Sequence, residues 1–228
     1  MKIILNKNEL KKSLQNEKNL GFVPTMGAVH FGHISLIKKS IKQCNKTLVS
    51  IFVNKPQFNK KSDFNKYPRT IHEDVSVLKK LRVDFLYLPK FKDIYPRGIN
   101  KKIKINSFSK KLCGKFRPRH FEAIVDVIDR FIKIIFPKKI YFGEKDMQQL
   151  KIVEDYIKKN HKFTNVVKCK TIREKNGIAY SSRNQLLNEH EKKIASKIYK
   201  LISVKKKRSY KKKNTQKSYY KKNYRYWS

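Results

Sequence analysis

The chain has 228 residues, and its 57 lysines and arginines far outnumber its 17 acidic residues, giving a formal net charge of +40. Such a charge favours polyanions and acidic small molecules as ligands, although a bias toward A- and T-rich codons also enriches a chain in lysine. Three scattered cysteines, and no run of about 18 apolar residues, argue against a disulfide-rich secreted protein and against a membrane protein. We therefore expect a cytoplasmic protein.

Two kinds of apolar segment alternate along residues 1–170. Short runs of β-forming residues, mostly without polar alternation, are typical of strands buried in a parallel sheet. Between them, longer segments repeat apolar residues at helical spacing, as Ile34, Ile37 and Ile41 do. This alternation predicts an α/β fold with a Rossmann-like, doubly wound parallel sheet. The predicted strands span residues 21–24, 47–53, 84–88 and 139–142, and the predicted helices span 33–44, 71–81 and 121–136.

The segment GFVPTMGAVHFGH, residues 21–33, places two histidines directly after a predicted strand and turn. In a doubly wound sheet, ligands bind at the carboxyl ends of the strands, where a helix N-terminus attracts phosphate. His30 and His33 are suited to donate hydrogen bonds to phosphoryl oxygens, and Gly27 and Gly32 allow the backbone to approach a ligand. The same spacing also suits surface histidines or part of a metal site, so this pattern alone leaves nucleotide binding open.

Three further segments carry polar side chains at a strand end or in a loop. Gln57, in SIFVNKPQF, offers both a donor and an acceptor to a polar substrate. In YFGEKDMQQL, Lys145 can neutralise phosphate charge, and Asp146 can orient that lysine or hold Mg²⁺. In GIAYSSRN, the hydroxyls and guanidinium of residues 181–183 are typical of a phosphate clamp. Each segment alone fits an ordinary loop or helix start equally well.

Together, these four segments resemble the motifs of the pantoate-beta-alanine ligase family, within the H-x-G-H superfamily of adenylate-forming nucleotidyltransferases. The resemblance covers residues 21–187, and the glutamines favour pantoate over the substrates of other superfamily members. It implies a ligase that uses ATP and Mg²⁺ to form a pantoyl adenylate and pyrophosphate, and then transfers the pantoyl group to beta-alanine, giving pantothenate and AMP. It also implies a homodimer. Catalysis of this kind depends on positioning and electrostatics rather than on a protein nucleophile.

The resemblance also implies roles for individual residues. His33 and His30 correspond to catalytic residues, together with Lys145, which would contact the phosphates. Gln57 and Gln149 correspond to residues that hold pantoate, and Gln57 would also lie beside the beta-alanine site. The motifs do not identify metal ligands. The implied ATP-binding residues are Met26, Gly27, Ala28, Val29, His30, Phe31, Gly32, His33, Gly143, Glu144, Lys145, Asp146, Ile172, Tyr180, Ser181, Ser182 and Arg183.

Two motifs depart from the family pattern. The family's N-P-x-Q-F reads NKPQF here, which moves a proline next to Gln57 and can alter the pantoate contact. The family's E-G-x-x-R-P-G-H-F-x-G-V reads CGKFRPRHFEAI, so Cys113 replaces an acid and Arg119 and Ala123 replace glycines. Replacing a glycine that has a positive φ costs about 1 kcal/mol. We therefore expect this second segment to be weakened.

The C-terminal part of the chain departs most from the family. The resemblance implies a second domain that closes over the site, and we expect a truncated form of it here. We predict a catalytic domain over residues 1–170, a phosphate-clamp loop with a C-terminal domain remnant over 171–203, and a basic tail over 204–228. Asn188 is expected to cap a helix over 188–202. The tail interleaves basic and aromatic residues, which favours disorder and non-specific nucleic-acid binding. The alternative function is therefore a non-catalytic remnant whose basic surface binds polyanions.

Overall fold

A computed structural model describes residues 1–205 of the chain. The predictions of disorder and nucleic-acid binding concern the basic tail, nearly all of which lies outside the described residues. The chain divides into two compact units, the larger formed by Met1–Ile172 with Tyr180–Arg183 and the smaller by Arg173–Ala179 with the residues from 184 onward. The domain boundary after residue 170 stays a prediction. Within the described part, no helix is both long enough and apolar enough to cross a membrane.

The larger unit contains a six-stranded sheet in which every strand pairing is parallel. The predicted α/β fold is therefore confirmed. All four predicted strands are present, with ends shifted by at most two residues, and two further strands were not predicted. In chain order the strands are β1 (Lys2–Ile4), β2 (Leu20–Thr25), β3 (Lys46–Ile51), β4 (Phe85–Tyr87), β5 (Lys139–Gly143) and β6 (Asn165–Cys169), and their spatial order is β1-β4-β3-β2-β5-β6.

The two unpredicted strands are the edges of the sheet, with β1 beside β4 and β6 beside β5. An edge strand is only partly covered, so its residues need not be apolar on both sides. In β1 only Ile4 is buried, and in β6 only Cys169 is buried. These short sequences therefore lack the continuous apolar run that identifies the four inner strands.

Helices cover both faces of the sheet. On β2, Phe22 belongs to one apolar cluster and its neighbour Val23 to the other, as expected for a strand buried on both sides. The three predicted helices are present, with ends shifted by at most two residues. Short 3-10 helices span Lys55–Gln57, Ser107–Lys110, Glu144–Asp146 and Ser182–Leu186, and the α-helices are α1 (Lys7–Leu14), α2 (Phe31–Gln43), α3 (Lys61–Lys66), α4 (Ile71–Lys80), α5 (Phe91–Ile94), α6 (Cys113–Phe116), α7 (His120–Ile135) and α8 (Met147–Asn160).

The face that α2 buries differs from the predicted one at its end. Ser40 faces the sheet, and its hydroxyl is hydrogen bonded to that of Thr47 at 2.8 Å. The helix lies so close to β2 that a Cβ on Gly21 would collide with the Ser40 hydroxyl. On the apolar face that was predicted, Ile37 is fully buried, whereas Ile41, near the end of the helix, is 39% exposed.

The sheet opens between β2 and β5. Pairing of β2 with β3 extends over all six residues of each strand, whereas its pairing with β5 is limited to Gly21 with Lys139 and Phe22 with Ile140. The winding also reverses here, because β3 and β4 lie on one side of β2, and β5 and β6 lie on the other. In doubly wound sheets a ligand crevice forms at such a switch point, outside the carboxyl ends of the strands. The fold therefore places the turn after β2 near the segment that follows β5.

The smaller unit contains a tight turn and a helix over residues 189–205. The predicted capping box at its start is confirmed, because the Glu191 N–H donates to Asn188 Oδ1 at 2.9 Å and the Asn188 N–H donates to Glu191 Oε2 at 2.8 Å. In the turn, Gly177 has a φ of +92°, and any side chain at this position would collide with the ring of Tyr199. Glycine is therefore required in this turn.

Arg119 adopts a left-handed backbone conformation directly before α7, with φ +60° and ψ 6°. A residue with a Cβ is strained in this region, so the expected cost of replacing the family's glycine is present here. Ala123 lies within α7 without a positive φ, and Cys113 begins α6 as an exposed residue. Of the two positions where the family has glycine, only Arg119 therefore has the backbone strain that a glycine would avoid.

We predict that Arg119→Gly raises the free energy of unfolding by about 1 kcal/mol, because glycine adopts a positive φ without steric cost. Urea-induced unfolding followed by circular dichroism measures the change. Arg119→Ala is the matched control, since it removes the same side chain but keeps the Cβ, and it should give no gain. An equal gain in both variants would assign the effect to the arginine side chain instead of the backbone.

Candidate active site

A pocket of about 220 Å³ opens at the switch point, at the carboxyl ends of β2 and β5. Its walls come from the turn after β2 with the start of α2, from the segment after β5, and from residues 170–172 and 180–183. Residues distant in the sequence thus meet in one place. The predicted site residues that line the pocket are Met26, His30, Gly32, His33, Gln57, Gly143, Lys145, Asp146, Gln149, Ile172, Tyr180, Ser181, Ser182 and Arg183.

Some predicted ATP-binding residues do not line this pocket. The backbone N–H groups of Ala28 and Val29 donate to the carboxylate of Asp74, so they are already used within the protein. Phe31 is 60% exposed, because it occupies the outward side of the first turn of α2. The predicted residues outside the pocket wall are Gly27, Ala28, Val29, Phe31 and Glu144.

His30 and His33 form a stacked pair at the N-terminus of α2, with ring centroids 3.9 Å apart. The His33 N–H donates to Nδ1 of His30, and the His30 N–H donates to Nδ1 of His33, each at 3.4 Å. This reciprocal cap satisfies N–H groups that the start of a helix otherwise leaves without partners. A Cβ on Gly32 would lie 2.8 Å from the His30 ring, so glycine between the two histidines permits the stacked arrangement.

Both imidazole rings are neutral near pH 7. Burial, followed by the charge of Lys145, lowers the pKa of His30 from 6.5 to about 4. Burial, followed by His30 and Lys145, lowers the pKa of His33 to about 3. Because each Nδ1 accepts a backbone N–H, the single proton of each neutral ring must be on Nε2. The pair therefore offers two Nε2–H groups as hydrogen-bond donors to a ligand in the pocket that the rings line.

We predict that the protein loses stability as the pH falls from 6.5 toward 4. Unfolded histidines take up protons near the ordinary pKa of 6.5, whereas folded His30 and His33 resist protonation down to about 4 and about 3. The unfolded state therefore binds more protons in this window, so the free energy of unfolding must fall with pH. His33→Asn keeps an acceptor near the Nδ1 position but does not titrate, and it should reduce the slope by up to about 1.4 kcal/mol per pH unit.

Urea unfolding at a series of pH values measures this slope. The exposed His72 provides the control, because His72→Asn removes a histidine from the surface of the same unit. Equal changes of slope in the two variants would contradict a special environment for His33.

The turn before the histidines is held by a carboxylate from α4. Asp74 is 2% exposed, and its Oδ2 accepts the Ala28 N–H at 2.9 Å while its Oδ1 accepts the Val29 N–H at 2.7 Å and the Thr70 hydroxyl at 3.3 Å. Burial raises the pKa of Asp74, and the two backbone donors oppose that rise. The turn depends on such support because Gly27 and Ala28 both have positive φ, at +82° and +48°. Asp74 thereby fixes the direction in which the chain enters α2.

We predict that Asp74→Asn lowers the free energy of unfolding by about 1–3 kcal/mol, because an amide keeps one acceptor and turns its NH₂ group toward a backbone N–H. Chemical denaturation measures the loss. Glu73→Gln removes the same charge from the exposed neighbouring position and should change stability by less than about 0.5 kcal/mol. If both variants lost the same free energy of unfolding, the cause would be the missing negative charge at the start of α4 and not the contact with the turn.

Gln57 is held through both its backbone and its side chain. Its carbonyl oxygen lies 2.7 Å from Nδ1 of His120, and Nδ2 of Asn54 donates to its Oε1 at 3.1 Å. Burial lowers the pKa of His120 to about 4, so this ring is neutral and its Nδ1–H donates to the carbonyl. Nε2 of Gln57 donates to the thioether of Met26 at 3.1 Å, and sulfur is a weak acceptor that a ligand oxygen readily replaces. Pro56 fits the first turn of its 3-10 helix and leaves Gln57 in the pocket wall.

Lys145, Lys170 and Arg183 bring positive charge to the pocket wall. Nζ of Lys145 lies 2.9 Å from the Asp146 carboxylate. The Arg183 guanidinium forms a bidentate pair with Asp63, from Nε to Oδ1 at 3.0 Å and from Nη2 to Oδ2 at 2.9 Å. Lys145 and Arg183 are thus already paired with carboxylates, and a bound anion must compete with these partners.

Ser182 connects the segment over residues 180–183 to the turn after β2. Its buried hydroxyl lies 3.1 Å from the carbonyl oxygen of Ala28 and 3.4 Å from that of Gly27. Ser181 Oγ accepts the backbone N–H of Arg183 at 3.3 Å. A phosphate contact from the Ser182 hydroxyl therefore requires the hydrogen bond to the turn to be exchanged.

The apolar wall of the pocket was not predicted from the sequence. The signal was present, because α7 is apolar around most of its circumference, but helical periodicity indicates burial without showing that one side faces a cavity. Asn54 lies three residues after the end of β3, and its position after a strand could have marked it. The main unpredicted lining residues are Phe52, Asn54, Tyr67, Ile124, Phe131 and Lys170.

A family model described as pantoate-beta-alanine ligase matches residues 2–226 of the chain. The chain belongs to this ligase family. A pantothenate synthetase from Sulfurihydrogenibium sp. is 41% identical over 206 residues, covering 89% of this chain and 74% of the relative. One from Flavobacterium psychrophilum is 43% identical over 203 residues, covering 88% of this chain and 72% of the relative.

Solved structures from the same ligase family have the same fold. A pantoate-beta-alanine ligase from Francisella tularensis, complexed with beta-gamma ATP and beta-alanine, matches with a TM-score of 0.85 and 38% identity, over 89% of this chain and 79% of that chain. A pantothenate synthetase from Thermus thermophilus matches with a TM-score of 0.84 and 33% identity, over 88% and 72% of the two chains. These matches confirm the family and the α/β fold that the sequence motifs predicted.

Proposed function

We propose that the chain condenses pantoate with beta-alanine at the expense of ATP, forming pantothenate, AMP and pyrophosphate. The observation that carries this proposal is that two neutral histidine donors, Lys145 and the amides of Gln57 and Gln149 line one pocket at the switch point of the sheet. Membership of the ligase family supports the same reaction. The Francisella tularensis relative, complexed with beta-gamma ATP and beta-alanine, supports two of the three substrates.

The first step forms a pantoyl adenylate. A carboxylate oxygen of pantoate attacks the α-phosphorus of ATP, forming a P–O bond while the bond to the pyrophosphate oxygen breaks. No general base is required, because the carboxylate is already an anion. The Nε2–H groups of His30 and His33 donate to phosphoryl oxygens on which negative charge develops, and Lys145 supplies a full positive charge. Near pH 7, a neutral imidazole donates a hydrogen bond to a phosphoryl oxygen but does not transfer its proton to the phosphate.

Pantoate has a polar end and an apolar middle, and the pocket provides for both. The amide of Gln57 offers its Nε2–H in exchange for the weak bond to Met26, and Gln149 lies in the same wall. The dimethyl carbon of pantoate fits against the apolar wall from Phe52 and α7. Oriented in this way, the carboxylate would face the phosphates bound near α2.

The second step transfers the pantoyl group to nitrogen. The ammonium group of beta-alanine first loses one proton to solvent, and the lone pair of the resulting amine attacks the acyl carbon of the adenylate. A C–N bond forms, and the acyl C–O bond breaks to release AMP with the bonding pair. The nitrogen then gives up one further proton to solvent, which leaves the amide. Holding the two reactants next to each other is the main contribution of the protein to such a step.

Mg²⁺ is part of the proposed reaction. Within residues 1–205, no three side chains of His, Cys, Asp or Glu form a cluster suited to a metal ion. Mg²⁺ fits this donor set nevertheless, because it is commonly held by substrate phosphates and water with one or two carboxylates. Asp146 is the candidate carboxylate, since it lines the pocket and its side chain is 55% exposed. The ion would neutralise charge on the triphosphate.

We also propose that the protein is a homodimer in the cytoplasm. The dimer follows from resemblance to the family, and size-exclusion chromatography with light scattering tests it. The cytoplasmic location rests on Cys44, Cys113 and Cys169, all of which are free thiols, as a reducing compartment would maintain them.

The proposed reaction is tested by incubating the purified chain with ATP, Mg²⁺, D-pantoate and beta-alanine and quantifying pantothenate and AMP. Wild-type protein should form both in equal amounts. His33→Ala and His33→Asn should each lower kcat by about 100-fold or more, because both remove the Nε2–H donor. Asn keeps an acceptor for the helix cap, so activity lost in both variants would reflect the donor and not unfolding. His72→Asn serves as the active control.

Each product pattern has a distinct meaning. Pantoate-dependent AMP without pantothenate would restrict the proposal to the first step. If the folded wild-type protein forms neither product, the proposal fails, and the polyanion-binding alternative gains support. That alternative is tested separately, by measuring binding to heparin with and without residues 204–228.

A further inference from the structure

A chain of hydrogen bonds leads from a buried tyrosine to Gln57. The Tyr95 hydroxyl donates to Oδ1 of Asn54 at 2.8 Å, and Nδ2 of Asn54 donates to Oε1 of Gln57 at 3.1 Å and to the carbonyl oxygen of Ala123 at 3.2 Å. Tyr95 is 3% exposed and Asn54 is 1% exposed, so bulk water does not replace these partners. Asn54 and Gln57 line the pocket, whereas Tyr95 lies behind Asn54 and does not.

The direction of each hydrogen bond in this chain is determined. The Ala123 carbonyl can only accept, so the NH₂ group of Asn54 must face it, and Oδ1 of Asn54 faces Tyr95. Burial raises the pKa of Tyr95, so its hydroxyl stays protonated and donates. The NH₂ group of Asn54 then requires an oxygen from Gln57, which directs Nε2 of Gln57 toward Met26. A reversed Gln57 would set two NH₂ groups against each other.

Tyr95 is itself held in one position. The Arg130 guanidinium lies 4.6 Å from the centre of its ring, and the Phe91 ring stacks on it at 4.7 Å. Arg130 in turn donates to Oδ1 of Asp126 at 2.6 Å and to the carbonyl oxygen of Ile94 at 2.9 Å. The tyrosine hydroxyl therefore presents its donor from a fixed place.

We propose that Tyr95 is a positioning residue for pantoate, because its hydroxyl orients the amide of Asn54 and, through it, the amide of Gln57. This inference rests on the proposed function, since it takes pantoate as the ligand of Gln57. A tyrosine that only filled the core would affect stability and would not distinguish one substrate from another. A positioning residue should affect pantoate and leave ATP unaffected.

The chain provides a closely matched control. Tyr87 is 0% exposed and belongs to the same apolar cluster as Tyr95, but its hydroxyl has no hydrogen-bond partner within residues 1–205. Tyr95→Phe and Tyr87→Phe therefore remove the same atom from two buried rings, and only the first removes a hydrogen bond. Both variants keep the ring that fills the core.

Isothermal titration of the full chain with pantoate, and separately with ATP and Mg²⁺, tests the inference. Tyr95→Phe should weaken pantoate binding by about tenfold, the loss expected for one buried hydrogen bond, without weakening ATP binding. Tyr87→Phe should bind both ligands as the wild type does. In a Gln57→Ala background, Tyr95→Phe should cause no further loss of pantoate affinity, because the group that it positions is absent.

The outcomes separate this inference from the proposed function. If the wild-type protein binds no pantoate, the proposed function fails and the inference fails with it. If the wild type and Tyr95→Phe bind pantoate equally well, the inference alone is overturned. It is also overturned if Tyr95→Phe weakens pantoate and ATP to the same extent, or if it weakens pantoate further when Gln57 is absent.

Discussion

The pocket depends on the N-terminus of α2, where the same two imidazole rings cap the helix and line the cavity. Each ring uses Nδ1 for the backbone of its partner, and this fixes the ring proton on Nε2. The Nδ1 edge of each ring therefore supports the fold, and the opposite Nε2 edge is left as a donor in the proposed function. The position of the two rings also depends on neighbouring residues. Gly32 must lack a side chain for the rings to stack, and Asp74 must hold the turn that leads to them.

In the proposed function, the neutral histidine pair and Lys145 have separate parts in binding an anion. His30 and His33 would supply direction, since turning either ring breaks the cap of α2. The positive charge would come chiefly from Lys145, which also helps to keep the rings unprotonated. This separation allows the histidines to be closely packed, because a buried neutral ring is less costly than a buried charged one.

The parts of the structure that could be predicted are those in which burial leaves a local pattern. The inner strands are apolar without alternation because helices cover both of their faces. The start of α2 could be predicted because only a short turn separates it from β2. His30, Gln57 and Lys145 could be placed near each other because each follows such a strand, and parallel strands end at the same edge of a sheet. The resemblance to the ligase family then added the roles that position alone could not provide.

The parts that could not be predicted depend on contacts between distant residues. Asp74 is 46 positions from Ala28, and in the sequence it is an ordinary acidic residue in the first turn of a helix. Tyr95 resembles any core aromatic residue until its hydroxyl is seen to meet Asn54. Likewise, the close approach of α2 to Gly21, where Ser40 faces the sheet, is not visible in helical periodicity.

Arg183 enters the pocket wall with its charge already matched. Its guanidinium is paired with Asp63 and lies 5.2 Å from the centre of the Tyr67 ring. An incoming oxyanion must displace a carboxylate whose geometry already suits the guanidinium fork, so a small monovalent anion gains little by entering. In the proposed function, a triphosphate would offset this exchange through further contacts with His30, His33 and Lys145. In a chain with a net charge of +40, the paired arginine would therefore favour long polyvalent ligands over the simple salts that such a charge attracts.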